Sequence, residues 1–248
     1  MSIDLRAPAY QALADALRAQ ITSGRLRPGD RLPTEPQLCR SAGVSRSTVR
    51  EALRLLASEH LVVTARGVAG GSFVVHPSPA QLADGLCVGV RLWQTTAAVG
   101  LAELLEVRAM VEVPATRLAA QRRTERHLEA LASTLFDPRT ADLDEMLAAH
   151  RGFHTAIAAA SGNPLLELVT LPLHAFDDPH RMIEPLGREF WIRVDADHRA
   201  ILAAVNAQRP EQAQVAAEEH LRELSNALLG RKAQTQAPTA TISGGAGA

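Results

Sequence analysis

The chain is poor in aromatics, cysteine and lysine, and it has no long apolar run. Aromatic residues are 3% of its 248 residues. The 46% hydrophobic content must therefore come mainly from Ala, Leu and Val, which favours close-packed helices over a β-sandwich. Two cysteines, Cys39 and Cys87, stand far apart with no Cys-x-x-Cys spacing. That excludes a disulfide scaffold and a zinc ribbon and suits a reducing cytoplasm. No stretch of about 18 uncharged apolar residues occurs, so no transmembrane helix is expected. Met1 to Tyr10 contains Asp4, Arg6 and Pro8 and lacks the apolar centre of a signal peptide. A net charge of -1 excludes a uniformly basic histone-like binder and an acidic disordered chain.

Charge and histidine are unevenly spread. Residues 1–76 hold ten Arg against six Asp and Glu, a balance of +4, while residues 77–248 carry -5. Lysine occurs once, at Lys232, so the positive charge of the first part is all arginine. Arginine suits bidentate contacts to phosphate and guanine. Seven of the nine histidines fall after residue 77.

The first part reads as three helices and a hairpin. A helix is expected from Ala9 to Ser23, with Leu13, Ala16, Leu17, Gln20 and Ile21 as its stripe and Gly24 at its end. Thr34 with Gln37 makes a capping box for a short second helix ending near Ala42-Gly43. Ser45 caps a third helix with Val49, Ala52, Leu53 and Leu56 on one face. Leu61–Thr64 and Ser72–Val75 are strand-like, with Arg66, Gly67, Gly70 and Gly71 in the turn between them. Pro77-Ser78-Pro79 ends the unit. Helices are then expected over Ala80–Leu92, Thr96–Arg122, Thr124–Phe136, Asp142–Ala160, Pro164–Phe176, Arg188–Ala207 and Pro210–Leu229, a bundle of six or seven. The domains are thus 1–77 and 78–230. Residues 231–248 are expected to be a disordered tail, since Gln234 to Ala248 is polar and without apolar period.

Two short helices joined through Ala42-Gly43-Val44 read as helix-turn-helix, with the second starting the recognition helix at Ser45-Arg46-Ser47-Thr48-Val49-Arg50. Its N-terminus offers unpaired N–H groups to a phosphate. Ser45, Ser47 and Thr48 add hydroxyls, and Arg46 and Arg50 share a face. Leu32-Pro33-Thr34-Glu35, Gly43 to Leu53, and Leu61-Val62 before a glycine-rich turn resemble the winged-helix domain of GntR-family bacterial regulators over residues 8–76. The resemblance implies sequence-specific binding to operator DNA by Ser45, Arg46, Ser47, Thr48 and Arg50, with Arg66 and Gly67 in the wing. Many members follow Leu-Pro-x-Glu with a DNA-touching arginine; here Pro36 stands there.

In the second part His150 and His154 lie one helical turn apart, and His198 and His220 fall on two later helices. Four imidazoles from three helices are able to meet around a divalent transition metal, although an i, i+4 His pair is more often structural. Phe153-His154, Ser161 to Leu166, His198 to Val205, His220-Leu221 and Glu106-Val107-Arg108 with Glu112 resemble the all-helical FCD effector domain. In metal-binding members, three histidines correspond to His154, His198 and His220. The usual fourth ligand, Asp, is replaced by His150, which favours zinc or nickel over manganese. The resemblance also points Arg108 toward an acidic effector; the plainer reading is a surface ion pair with Glu112. Leu101, Leu104, Leu105 and Val111 are expected to pack inward. His174 and His180 receive no role, and Trp93 and Trp191 are assigned to packing.

The expectation is a cytoplasmic homodimeric regulator, a repressor, on a near-palindromic double-stranded operator. It would bind a metal and a small carboxylic acid, with no membrane partner and no catalysis. The rivals are a metal sensor with the ion as effector, a metal-dependent hydrolase, and a purely structural zinc.

Overall fold

The computed structural model describes residues 8–67, 70–96, 98–174 and 186–235, with side chains to residue 230. Its elements are α1 (Ala9–Thr22), α2 (Glu35–Ala42), α3 (Arg46–Ser58), β1 (Val62–Ala65), β2 (Gly71–Val74), α4 (Pro79–Thr95), α5 (Leu101–Arg122), α6 (Glu125–Ala132), α7 (Leu143–Ala160), α8 (Pro164–His174), α9 (Gly187–Asn206) and α10 (Pro210–Thr235). The chain divides into two compact units between Leu82 and Ala83, inside α4.

In the first unit, Leu13, Ala14, Leu17, Leu38, Val49, Ala52, Leu53, Leu56, Val62 and Val74 form the core. Ala14, not Ala16, completes the α1 stripe, because α1 is pressed against α3 through that side. The turn between α2 and α3 works as read: Gly43 takes the left-handed conformation at φ 65, where a side chain is disfavoured. The Thr34 N–H donates to Gln37 Oε1 at 2.8 Å, and Ser45 Oγ accepts from the Thr48 N–H at 3.1 Å. β1 and β2 pair antiparallel, Val62 opposite Val74 and Ala65 opposite Gly71.

In the second unit α5 is central: α7, α8, α9 and α10 all pack against it. Three expectations need correction. Val111 is half-buried and Val113 takes the inward position, because the buried side of α5 runs Leu101, Leu104, Leu105, Arg108, Glu112, Ala115, Ala119. Trp93 is 55% exposed, not packed, whereas Trp191 is buried edge-on to Phe136 at 5.9 Å. The helix α10 continues to Thr235, past the boundary set at 231, since Arg, Lys, Ala and Gln all propagate helix. The rest of the expected tail, 236–248, lies outside the described residues, as does His180. No helix among them is long and apolar enough to cross a membrane.

Candidate metal centre and DNA interface

Three helices bring four imidazoles together: His150 and His154 from α7, His198 from α9, His220 from α10. None is more than 5% exposed. Ring centroids lie 4.5 Å apart for His150 and His154, 5.2 Å for His150 and His198, 5.0 Å for His198 and His220, and 5.3 Å for His154 and His220. One donor atom from each lies within 4.8 Å of the others. Nitrogens at zinc's usual ~2.0–2.1 Å bond length stand about 3.4 Å apart at tetrahedral angles, so small rotations suffice to enclose an ion.

The donor atoms are orphaned. His150 Nδ1, His154 Nε2, both nitrogens of His198 and His220 Nε2 are buried without a hydrogen-bond partner. Each such atom ordinarily costs about 1–3 kcal/mol. Burial also disfavours the charged form of three of the rings, His150, His154 and His198. Burial, with neighbouring imidazoles and Arg108, pushes His150 and His198 well below the usual range. Burial outweighs Glu112 and takes His154 down to about 3. Buried ring nitrogens with no hydrogen-bond partner are the chemistry a divalent transition metal requires, and the residues fit such an ion.

Two carboxylates orient these rings from behind. His154 Nδ1 donates to Glu112 Oε2 at 2.6 Å, and His220 Nδ1 donates to Asp197 Oδ2 at 3.1 Å. Each bond fixes the tautomer that leaves Nε2 as the acceptor. Glu112 in turn accepts from Arg108 Nε at 2.7 Å. Burial alone would raise the Glu112 carboxyl, but Arg108, His154 and His174 hold it well below the usual range. The Arg108–Glu112 pair expected at the surface is therefore present but interior, each side chain 3% exposed.

His174, left without a role by the sequence, belongs to the same cluster. It stacks on His154 at 5.0 Å and puts Nε2 3.2 Å from Glu112 Oε1, out of line for a hydrogen bond, so both ring nitrogens are unpartnered. Glu112, His154 and His174 form a second close triad. No sequence signal pointed to His174: its burial beside Thr170, one turn away on α8, is seen only in the fold. Asp197 was also missed; it lies one residue before His198 but serves a different helix.

On the first unit the proposed contact residues sit where a duplex could reach them. Ser45, Arg46, Ser47 and Arg50 are exposed at the start of α3, and Thr48 is half-buried. Ser45 Oγ lies 2.7 Å from Ser47 Oγ and 2.8 Å from Thr48 Oγ1, a hydroxyl patch over the free N–H groups. Arg50 is paired with Glu35 of α2 at 3.1 Å, so only Arg46 of the two arginines stands clear of an ion pair here. Arg66 is exposed after β1, and Gly67 takes φ 108 to turn the wing; residues 68–69 of its tip are outside the described residues. Pro36 occupies the first turn of α2 and offers no donor.

Comparison with known proteins accounts for both units. Residues 9–74 match the family described as bacterial regulatory proteins, gntR family, and residues 103–223 match the FCD domain. The HTH-type transcriptional regulator LutR of Bacillus subtilis (strain 168) is 31% identical over 223 residues, 85% of this chain and 96% of that protein. The chain belongs to the GntR family. Within it the FCD match sets the branch. The Glc operon transcriptional activator of Escherichia coli (strain K12) is 30% identical over 236 residues, covering 91% of each. A Streptococcus agalactiae GntR structure shares the fold, with TM-score 0.57 at 23% identity over 87% of this chain and 98% of that one. This GntR/FCD protein is a DNA-binding transcriptional regulator and not an enzyme.

Proposed function

We propose that this regulator is a ligand-responsive repressor. Its helical unit, 78–230, holds a divalent transition metal, zinc or nickel, on His150, His154, His198 and His220. It receives a small carboxylic acid beside that site. Its head, 1–77, reads a near-palindromic operator with Ser45, Arg46, Ser47, Thr48, Arg50, Arg66 and Gly67 as one half of a cytoplasmic homodimer, since a two-fold protein mirrors a two-fold site. The observation that carries the metal reading is the convergence of five orphaned, buried ring nitrogens from four histidines, two of them oriented by carboxylates.

The bound ion would supply an electrophilic centre for an anionic oxygen. The chain's own residues supply the rest. His154 and His220 are held in one tautomer by Glu112 and Asp197. Arg108 keeps a fixed positive charge beside the cluster. Because Glu112 already uses that charge, an incoming carboxylate must share or displace Glu112, and this competition selects for small anions. Coupling between effector and DNA sites of about 1–3 kcal/mol is the ordinary scale for such regulators.

The test uses the full chain after chelator treatment. Zinc should raise its melting temperature, and one member of a panel of small organic acids should raise it further. DNA selected by the protein from a random pool then gives the operator. Zinc plus the acid should weaken that binding. A response to zinc alone would favour the metal-sensor reading, and no shift with any metal or acid would refute both. A reporter fused to the operator reads the sign of regulation.

A further inference from the structure

Four imidazoles that are each at most 5% exposed can hold an ion only if one can reach them. A cavity of about 400 Å3 between α9 and α10 touches this cluster, because His220 forms part of its wall. Helical spacing builds both walls. Glu189, Phe190, Arg193, Val194 and Asp197 share one face of α9, and His220, Glu223, Leu224 and Ala227 share one face of α10. Phe190, Val194 and Leu224 make much of the lining apolar.

The charge of this groove is lopsided. Three carboxylates, Glu189, Asp197 and Glu223, stand against one cation, Arg193. Arg193 is already engaged, its Nη1 lying 3.9 Å from Glu223 Oε2. The Asp197 side chain is 28% exposed and accepts from His220 Nδ1. A single hydrogen bond therefore joins the groove to a ring whose Nε2 is buried and unpartnered. Fixed negative charge between apolar walls focuses the field and concentrates cations. The same field repels a carboxylate. Arg108, the cation assigned to the acid effector, does not line the groove.

We infer that the groove between α9 and α10 is the entry route of the divalent metal ion, a cation-selective passage that reaches the histidine cluster by way of Asp197 and His220. The inference rests on the metal reading above and adds how the ion arrives, apart from the anionic effector. The test is stopped-flow mixing of the chelator-stripped full chain with cobalt(II) chloride. Trp191, its ring 6.2 Å from that of His150, reports the ion's arrival by quenching. Glu189 and Asn226 line the groove and are exposed. Glu189→Arg with Asn226→Arg should slow association about tenfold or more at low ionic strength. The difference should vanish near 1 M salt, where the screening length is about 3 Å. Ala227→Trp narrows the groove. It should slow association and chelator-driven release by the same factor and leave affinity unchanged, the mark of a passage rather than a binding site. The charge variants, on exposed residues, carry the test if Ala227→Trp fails to fold. Cobalt taken up by the groove variants at the parent's rate overturns the passage and leaves the metal centre standing. So does an Ala227→Trp chain that loses affinity without slower entry. A parent that binds no cobalt overturns both.

Discussion

Glu112→Gln keeps shape and removes charge at the point where the second unit is most committed. Arg108 Nε donates to Oε1 at 2.7 Å and His154 Nδ1 donates to Oε2 at 2.6 Å. Glutamine has one carbonyl oxygen, so its NH2 must face one of these donors. Arg108 is 3% exposed, cannot shed its proton and makes no other ion pair among the described residues. Removing one partner of a buried pair costs about 3–5 kcal/mol, because the other charge stays buried. For a unit of this size each kcal/mol moves the midpoint by about 2–4 °C. The variant should therefore melt about 6–20 °C below the parent in chelator, measured by calorimetry of the full chain. Arg108→Met with Glu112→Leu should recover much of that loss, since no charge is then stranded. Zinc affinity of Glu112→Gln should fall about 10–100-fold, because His154 loses the bond that sets its tautomer. A single variant that melts within about 2 °C of the parent would refute the reasoning, as Arg108 would then have another way to be satisfied.

Further outcomes follow from the same geometry. Arg46→Ala should cost about 1–3 kcal/mol of operator affinity and relax base preference, read by fluorescence anisotropy across operator variants; equal loss on all sequences would make Arg46 a phosphate contact. His150, His154 and His198 have depressed values in the folded chain, His154 at about 3. Unfolded, they take up protons from about pH 6.5. The chelated protein should keep this stability above that pH and lose it toward pH 3, at up to about 1.4 kcal/mol per unit and histidine. A flat denaturation midpoint from pH 6.5 to 4 would contradict it. His150→Asp adds a hard anionic ligand and should shift competition toward manganese at zinc's expense, measured by metal content after dialysis against both; an unchanged ratio would place His150 outside the ligand set.

The head was legible because its punctuation is local. Thr34 with Gln37, Gly43 and Ser45 each announce a cap or a left-handed turn, and Val49, Ala52, Leu53 and Leu56 recur at helical spacing. The imidazoles on α7, α9 and α10 were legible as candidates, while their meeting is a tertiary fact. What the sequence hid were charged and polar residues on buried faces. For Arg108 an acidic effector and a surface pair with Glu112 were both open, since such residues are rarely interior, yet the two neutralise each other inside α5. His174 gave no pattern with His150 or His154 because α8 brings it from a separate helix. Trp93 misled in the reverse direction: an aromatic is normally core, but here it is 55% exposed on α4.

The most direct test of the metal account is X-ray absorption on zinc-loaded protein together with its metal content. One zinc per chain, with a first shell of nitrogen at about 2.0–2.1 Å and no sulfur, lost on His198→Ala, is the predicted result. A protein that retains no zinc after dialysis, or binds it through oxygen alone, would contradict the four-histidine centre.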